Sequence, residues 1–221
     1  MCPRGEFTAD SVGTKYVPTI PGYEWIIGVT KMNTTVTNEQ AIAATKLWLE
    51  KAVIGLNLCP FAKGVHVKGQ IRYFVSAATT PEELLVDVQR ELEVLAEASR
   101  EKIDTILLIH PHVLTDFLDY NDFLAVVDAA LEEVDLGGEL QVASMHPLYQ
   151  FADTELDDIT NYTNRSPYPT LHLIREVSID EAVASFPEAE TIFEKNMETM
   201  RKLGHEGWNA LGLAEVQQYK K

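Results

Sequence analysis

Between Ile71 and Arg175 the apolar pattern switches repeatedly between strand-like runs and helix-like stripes, and this alternation constrains the fold more than any other feature of the chain. Ile71 to Ala78 reads as a strand. Thr80-Pro81-Glu82-Glu83 then opens a helix, with a capping residue, proline at the first helical position and glutamate at the third. Leu84, Val88, Leu92 and Leu95 mark its apolar face. Asp104 to His110 reads as a buried strand, because Ile106-Leu-Leu-Ile109 is apolar without a break. Thr115 or Asp116 caps the next helix, whose stripe is Tyr120, Leu124, Val127, Leu131 and Val134, and Gly137-Gly138 ends it. Leu140 to Met145 and Thr170 to Arg175 give two more strands. Ahead of this unit, Thr37-x-x-Gln40 forms a capping box for an amphipathic helix through Ile42, Trp48, Leu49, Ala52 and Val53, ending near Gly55 to Pro60. Behind it, Ser178-x-x-Glu181 and Ser185-x-x-Glu188 read as two further capping boxes. The second leads into Ile192, Phe193, Met197, Met200 and Leu203, with Gly204 as a stop.

The order is helix, then strand-helix-strand-helix-strand-strand-helix. It predicts an α/β domain, with α+β as the alternative: a central four-stranded sheet with helices packed on it and a helix at its N-terminal side. The order is topologically reminiscent of a thioredoxin-like layout. No Cys-x-x-Cys occurs, and no cysteine stands at the junction of the first strand and its helix, so topology alone implies no thiol–disulfide exchange. The expected boundaries are a disordered leader over 1–36, a single domain over 37–213 and a tail over 214–221, with Met32 as an alternative start.

A net charge of -16 argues against nucleic acid as a partner. The charge is also unevenly spread: from Ile103 to Asn164 there are thirteen Asp and Glu and no Lys or Arg. No apolar run is long enough to span a bilayer, so no membrane partner is expected. The only cysteines are Cys2 and Cys59, which points to a reducing, cytoplasmic setting.

Chemistry is concentrated between the last two strands. A connection of roughly 20 residues inside a compact domain is usually functional or disordered, and this one is too rich in Tyr, Phe and Pro for a plain linker. His110 and His146 each end an apolar strand and precede a proline, which stops the strand and holds the preceding residue extended. If strands two and three run the same way, both histidines stand at one sheet edge, where α/β sheets bind ligands. Asp153, Glu155, Asp157 and Asp158 would then lie nearby. His110, His146 and Asp153 could hold a divalent metal (Zn, Fe or Mn), with Glu155 completing the shell or acting as base. If strand three is antiparallel, as the thioredoxin-like layout would have it, the histidines lie at opposite ends. Local backbone bonding of each histidine is the plainer account. Asn164-Arg165-Ser166 is the best anion candidate, with Arg175 similar, although an internal ion pair and turn-building explain these residues equally well. Cys59 reads as a buried thiol, as a metal thiolate with His66, or as a reactive thiol whose pKa Lys63 and Lys68 lower.

Three segments, Gly55-Leu-Asn-Leu-Cys-Pro-Phe-Ala-Lys63, His146-Pro-Leu-Tyr-Gln-Phe-Ala-Asp-Thr-Glu155 and Asn164-Arg-Ser-Pro-Tyr-Pro-Thr-Leu-His-Leu-Ile-Arg-Glu176, resemble the bacterial family catalogued as domain of unknown function 1415. The closing Asn196 to Trp208 stretch fits as well, so the resemblance spans about residues 38–211. It implies one structural unit and no particular reaction. The leading expectation from the residues is a metal-dependent small-molecule hydrolase or lyase, in which His110, His146, Asp153 and Glu155 do the chemistry and Arg165 holds an anionic substrate. The alternatives are a non-catalytic binding or assembly protein, using Tyr149, Phe151, Tyr162 and Tyr168 of loop 147–169 on a protein partner, and a single-cysteine redox protein using Cys59.

Overall fold

The computed structural model describes residues 36–185 and 191–213. The expected leader with Cys2 and Met32, the tail over 214–221 and the glutamate end of the Ser185-x-x-Glu188 box lie outside these residues. Helix α1 (Asn38–Trp48) opens on the expected capping box: the Thr37 hydroxyl accepts from the Gln40 amide, and the Gln40 side chain accepts from the Thr37 amide. The helix continues as a wider π-helical turn over Leu49–Ile54. Gly55 closes that turn, because a Cβ there would run into the Lys51 carbonyl. A short helix that the sequence did not announce, α2 (Ala62–Val67), precedes β1 (Ile71–Val75).

Helix α3 (Pro81–Glu97) begins on the Thr80 cap with proline in the first turn, as the sequence predicts. Strand β2 (Thr105–Ile109) is buried at every position. Asp116, rather than Thr115, caps α4 (Phe117–Glu133), accepting from the Leu118 amide at 2.9 Å. Strand β3 (Leu140–Met145) and strand β4 (Thr170–Arg175) have the expected bounds. Two C-terminal expectations are corrected. Helix α5 (Glu176–Ser185) starts before Ser178, which therefore cannot cap it; the Ser178 hydroxyl bonds Asp104 and Glu181 pairs with Arg100 instead. Gly204, at φ 62°, kinks rather than ends α6 (Ile192–Ala210), because the chain resumes a helical course beyond it.

The sheet order is β1-β2-β4-β3. Strand β1 is parallel to β2, and β4 lies antiparallel between β2 and β3. Strands β1, β2 and β3 therefore point the same way, and their carboxyl ends share one edge. The antiparallel third strand of a thioredoxin-like layout is not the arrangement found. Helices α3 and α4 bury Leu84, Val88, Leu92, Tyr120 and Val127 against Ile106, Leu108, Leu171 and Leu173. Burial of each large apolar side chain is worth roughly 1.5–3 kcal/mol. On the other face Trp48, Leu49, Met200 and Trp208 join α1, the π turn and α6 over Ile71, Tyr73 and Met145. No helix among the described residues is long and apolar enough to cross a membrane.

Candidate functional site

Strands β3 and β4 are antiparallel neighbours, which about two turn residues can join. Residues 146–169 are inserted there instead, and they fold over the edge where β1, β2 and β3 end. His110 and His146 leave that edge together, both completely buried. The ring of Tyr120 packs against both, with centroids 5.6 Å from His110 and 5.0 Å from His146. Phe117 packs on His146 at 5.5 Å and on Tyr149 at 5.2 Å. The Tyr120 hydroxyl accepts from the Met145 amide at 3.0 Å and donates to the Thr170 carbonyl at 2.8 Å, pinning the ends of β3 and β4.

The β2–α4 turn fixes the protons on both rings. His110 Nδ1 lies 3.0 Å from the Val113 carbonyl, which can only accept, so Nδ1 carries the hydrogen. His146 Nδ1 accepts from the Leu148 amide at 3.0 Å, so its Nε2 carries the hydrogen and donates to the Leu114 carbonyl at 3.3 Å. Two successive carbonyls thus serve two histidines. Leu114 reaches this position with φ 53°, a left-handed conformation rare for a bulky residue. Such strain costs on the order of 1–3 kcal/mol and tends to collect at functional sites. His110 Nε2, by contrast, is buried with no hydrogen-bond partner among the described residues. Burial holds both imidazoles well below the ordinary range, to about 4. For His146 the Asp116 charge works against that shift and the Arg165 charge adds to it.

The other expected site residues do not all join this cluster. Asp153, Glu155 and Asp157 are exposed on the loop, and Asp153 occupies a left-handed turn position at φ 62°. Among the described residues no three His, Cys, Asp or Glu side chains converge to hold a metal ion. Asn164 and Ser166 build the loop: the Asn164 carbonyl accepts from the His146 amide at 3.2 Å, and the Ser166 hydroxyl donates to Tyr168 at 2.6 Å. Arg165 donates to the carbonyls of Tyr149 at 3.1 Å and Leu156 at 2.6 Å, and its guanidinium stacks 4.3 Å over Tyr162.

Arg175 is at the wrong end of the sheet for this site. Thr170 starts β4 opposite Ile109 and Met145, whereas Arg175 ends it opposite Leu140, about 17 Å further along the strand. There its guanidinium donates to the carbonyls of Leu95, Ala98 and Ile103, closing the end of α3. Cys59 is also elsewhere, in the cluster of Trp48 and Met200. Burial pushes its thiol up, the reverse of the lowering expected from Lys63 and Lys68. His66 faces Glu50 at 3.5 Å. His172 donates from Nε2 to the Thr105 hydroxyl at 2.7 Å, since that hydroxyl gives its own proton to the Leu173 carbonyl.

The loop aromatics turn inward: Tyr149, Phe151 and Tyr162 are half-buried and Tyr168 is buried. Sequence reasoning placed Tyr120 in the core and Asp116 at a helix cap, and missed their part in the histidine cluster. A hydroxyl inside an apolar stripe is the signal that could have found Tyr120, because a buried tyrosine needs a polar partner.

A family model described as a protein of unknown function, DUF1415, matches residues 40–210. No curated protein and no solved structure matches the chain.

Proposed function

Because the chain belongs to the DUF1415 family, which is described as a protein of unknown function, the chemistry must be argued from the site, and we propose a small-molecule enzyme, a hydrolase or lyase, with His110 as its acid–base group. The observation that carries this reading is His110 Nε2, a buried basic nitrogen with no hydrogen-bond partner among the described residues. A buried polar atom normally finds a hydrogen bond, and an orphan calls for an explanation. At neutral pH the ring is uncharged and Nε2 holds a lone pair. It can take a proton from a water, a substrate hydroxyl or an acidic C–H, and return it to the leaving group. The Val113 carbonyl steadies the resulting imidazolium, because Nδ1–H already points at it. His146 holds the neighbouring turn through Leu114 and adds no charge of its own.

A divalent ion (Zn, Fe or Mn) enters this reading with His110 Nε2 as its one ready donor. His146 Nδ1 is committed to Leu148, and Asp153 and Glu155 are exposed. Elemental analysis of protein purified without chelator or affinity tag tests that part. A cytoplasmic setting belongs to the same reading. The assembly alternative draws support from Leu156 and Phe193, both about half exposed, with Phe193 edge-on to Phe151. The raised thiol of Cys59 gives the redox alternative the least support.

The test uses a panel of carboxylic and phosphate esters, amides and β-hydroxy acids, turned over by wild type, His110→Asn and His146→Gln. Asparagine keeps a donor for Val113 and deletes Nε2; glutamine keeps a donor for Leu114. Turnover should fall on the order of 100-fold or more in His110→Asn, and less in His146→Gln. A folded His110→Asn protein with wild-type turnover would sink the proposal.

A further inference from the structure

We infer that the substrate carries an oxyanion, a carboxylate or phosphate, seated on Arg165, with Arg201 and His205 as specificity-determining residues beside it. This rests on the reading of the same loop as part of a small-molecule site.

Arg165 is the first cation after a stretch from Ile103 that holds thirteen acids and no Lys or Arg. An internal ion pair would be its simplest use. Among the described residues it makes none. Its hydrogen bonds go to the carbonyls of Tyr149 and Leu156, which orient the guanidinium without neutralising it. Burial pulls its pKa below the ordinary arginine value, which marks a cation deprived of part of its hydration. Burying a charge is costly unless it is paired. Nε and Nη2 are engaged by the two carbonyls and Tyr162 is a further hydrogen-bond partner, but none of these carries a full negative charge, so the guanidinium, a group that suits oxyanions, keeps its positive charge.

A second set of groups converges on the same place from α6. The Tyr162 ring beneath Arg165 meets the His205 ring edge-on at 5.5 Å. Arg201, four residues before His205 and on the other side of the Gly204 kink, is exposed and makes no ion pair among the described residues. The charges of Arg201 and His205 both bear on Asp158. Two acids stand close by. Asp158 Oδ1 is already held by the Thr160 amide at 2.8 Å and the Thr160 hydroxyl at 2.7 Å. Asp157 is exposed and contributes only a through-space attraction to Arg165. Arg165 bonds the Tyr149 carbonyl, and the Tyr149 ring meets Phe117, which packs on His146, so the anionic end of the substrate lies on the histidine side of the loop.

The full chain at neutral pH is titrated with sodium phosphate and with sodium acetate, using sodium chloride as the ionic-strength control, and binding is followed by side-chain resonances of Arg and His. Saturable shifts with an oxyanion and none with chloride are expected. Arg201→Gln, at an exposed position, should weaken binding roughly two- to fivefold, the factor for a partly screened charge contact, and His205→Gln, also exposed, should weaken it by less. Arg165→Lys, which keeps the charge and loses the fork, should weaken it more. Stronger binding of phosphate or of acetate identifies the substrate's acid group. Binding of neither, or binding unchanged in Arg201→Gln and Arg165→Lys, overturns the inference. His110→Asn should leave oxyanion binding intact. If binding is intact while that variant also turns substrate over normally, the acid–base reading fails and the anion seat stands.

Discussion

His110 Nδ1 lies 3.0 Å from the carbonyl oxygen of Val113, three residues further along the chain, and this bond decides which nitrogen of the buried ring holds the proton. The nitrogen left with a lone pair is therefore Nε2, the atom without a partner among the described residues. At neutral pH, ¹⁵N spectra should show His110 with hydrogen on Nδ1 and His146 with hydrogen on Nε2, two different tautomers in one cluster. A shared tautomer would contradict the bonds to Val113, Leu114 and Leu148.

The same burial makes stability depend on pH. His110 drops from 6.5 in the unfolded chain to about 4 in the fold. Between those values the unfolded chain binds a proton that the native state does not. Stability therefore falls as pH drops from about 6.5 towards 4, by roughly 3 kcal/mol for this residue. His146 and His172, also held at about 4, act in the same direction. The loss from carboxylates with lowered pKa, such as Glu181, begins only as pH falls into their ordinary range, near 4.5. Urea unfolding across pH 7 to 4.5 should give a shallower slope for His110→Asn than for wild type. Equal slopes would mean that His110 is protonated in the fold.

Tyr120→Phe removes one oxygen and strands two backbone groups, the Met145 amide and the Thr170 carbonyl. An unsatisfied buried polar group costs about 1–3 kcal/mol, so a loss of that size in chemical denaturation is expected. The His110 and His146 ring resonances should move with it, since the Tyr120 ring packs on both. A variant of wild-type stability would show that water or a rearranged loop satisfies both groups.

How much of this was legible in advance depends on whether the information was local. The first three strands were readable because their apolar runs end before Pro or a helix cap, β4 from its own apolar run after Pro169, and the His-Pro pairs pointed to the ends of β2 and β3. Whether His110 and His146 shared an edge was not readable. It depends on β4 inserting antiparallel between β2 and β3, a pairing between segments some 60 residues apart in the chain. The groups that fix the tautomers are backbone carbonyls of Val113 and Leu114, which residue identity does not reveal. Asp153 and Glu155 were read as ligands from their number and proximity in sequence, but a surface turn spends acids just as readily.

Arg175 illustrates the same limit, and it yields a separable prediction. Its guanidinium meets three carbonyls at the end of α3, at the far edge of the sheet. Arg175→Lys keeps the charge and loses the fork, so it should destabilise the fold by about 1–3 kcal/mol. Any turnover at the histidine edge should survive per folded molecule. Loss of turnover in a protein shown to be folded would return Arg175 to the site.

Asp153 gives the sharpest test of the metal expectation, because two accounts of it predict opposite results. The residue is exposed and sits at φ 62°, a conformation that aspartate tolerates and glycine adopts freely. If it serves only the turn, Asp153→Gly relieves strain. Stability then stays level or rises by up to about 1 kcal/mol, because the extra freedom of glycine in the unfolded chain offsets part of the gain. Metal content and turnover would match wild type. If Asp153 is a metal ligand, the same variant loses bound metal and turnover together while remaining folded. Thermal unfolding, elemental analysis and the substrate panel on this one variant separate the accounts. Its position in a left-handed surface turn, with His146 Nδ1 committed to Leu148, favours the outcome in which nothing but stability changes.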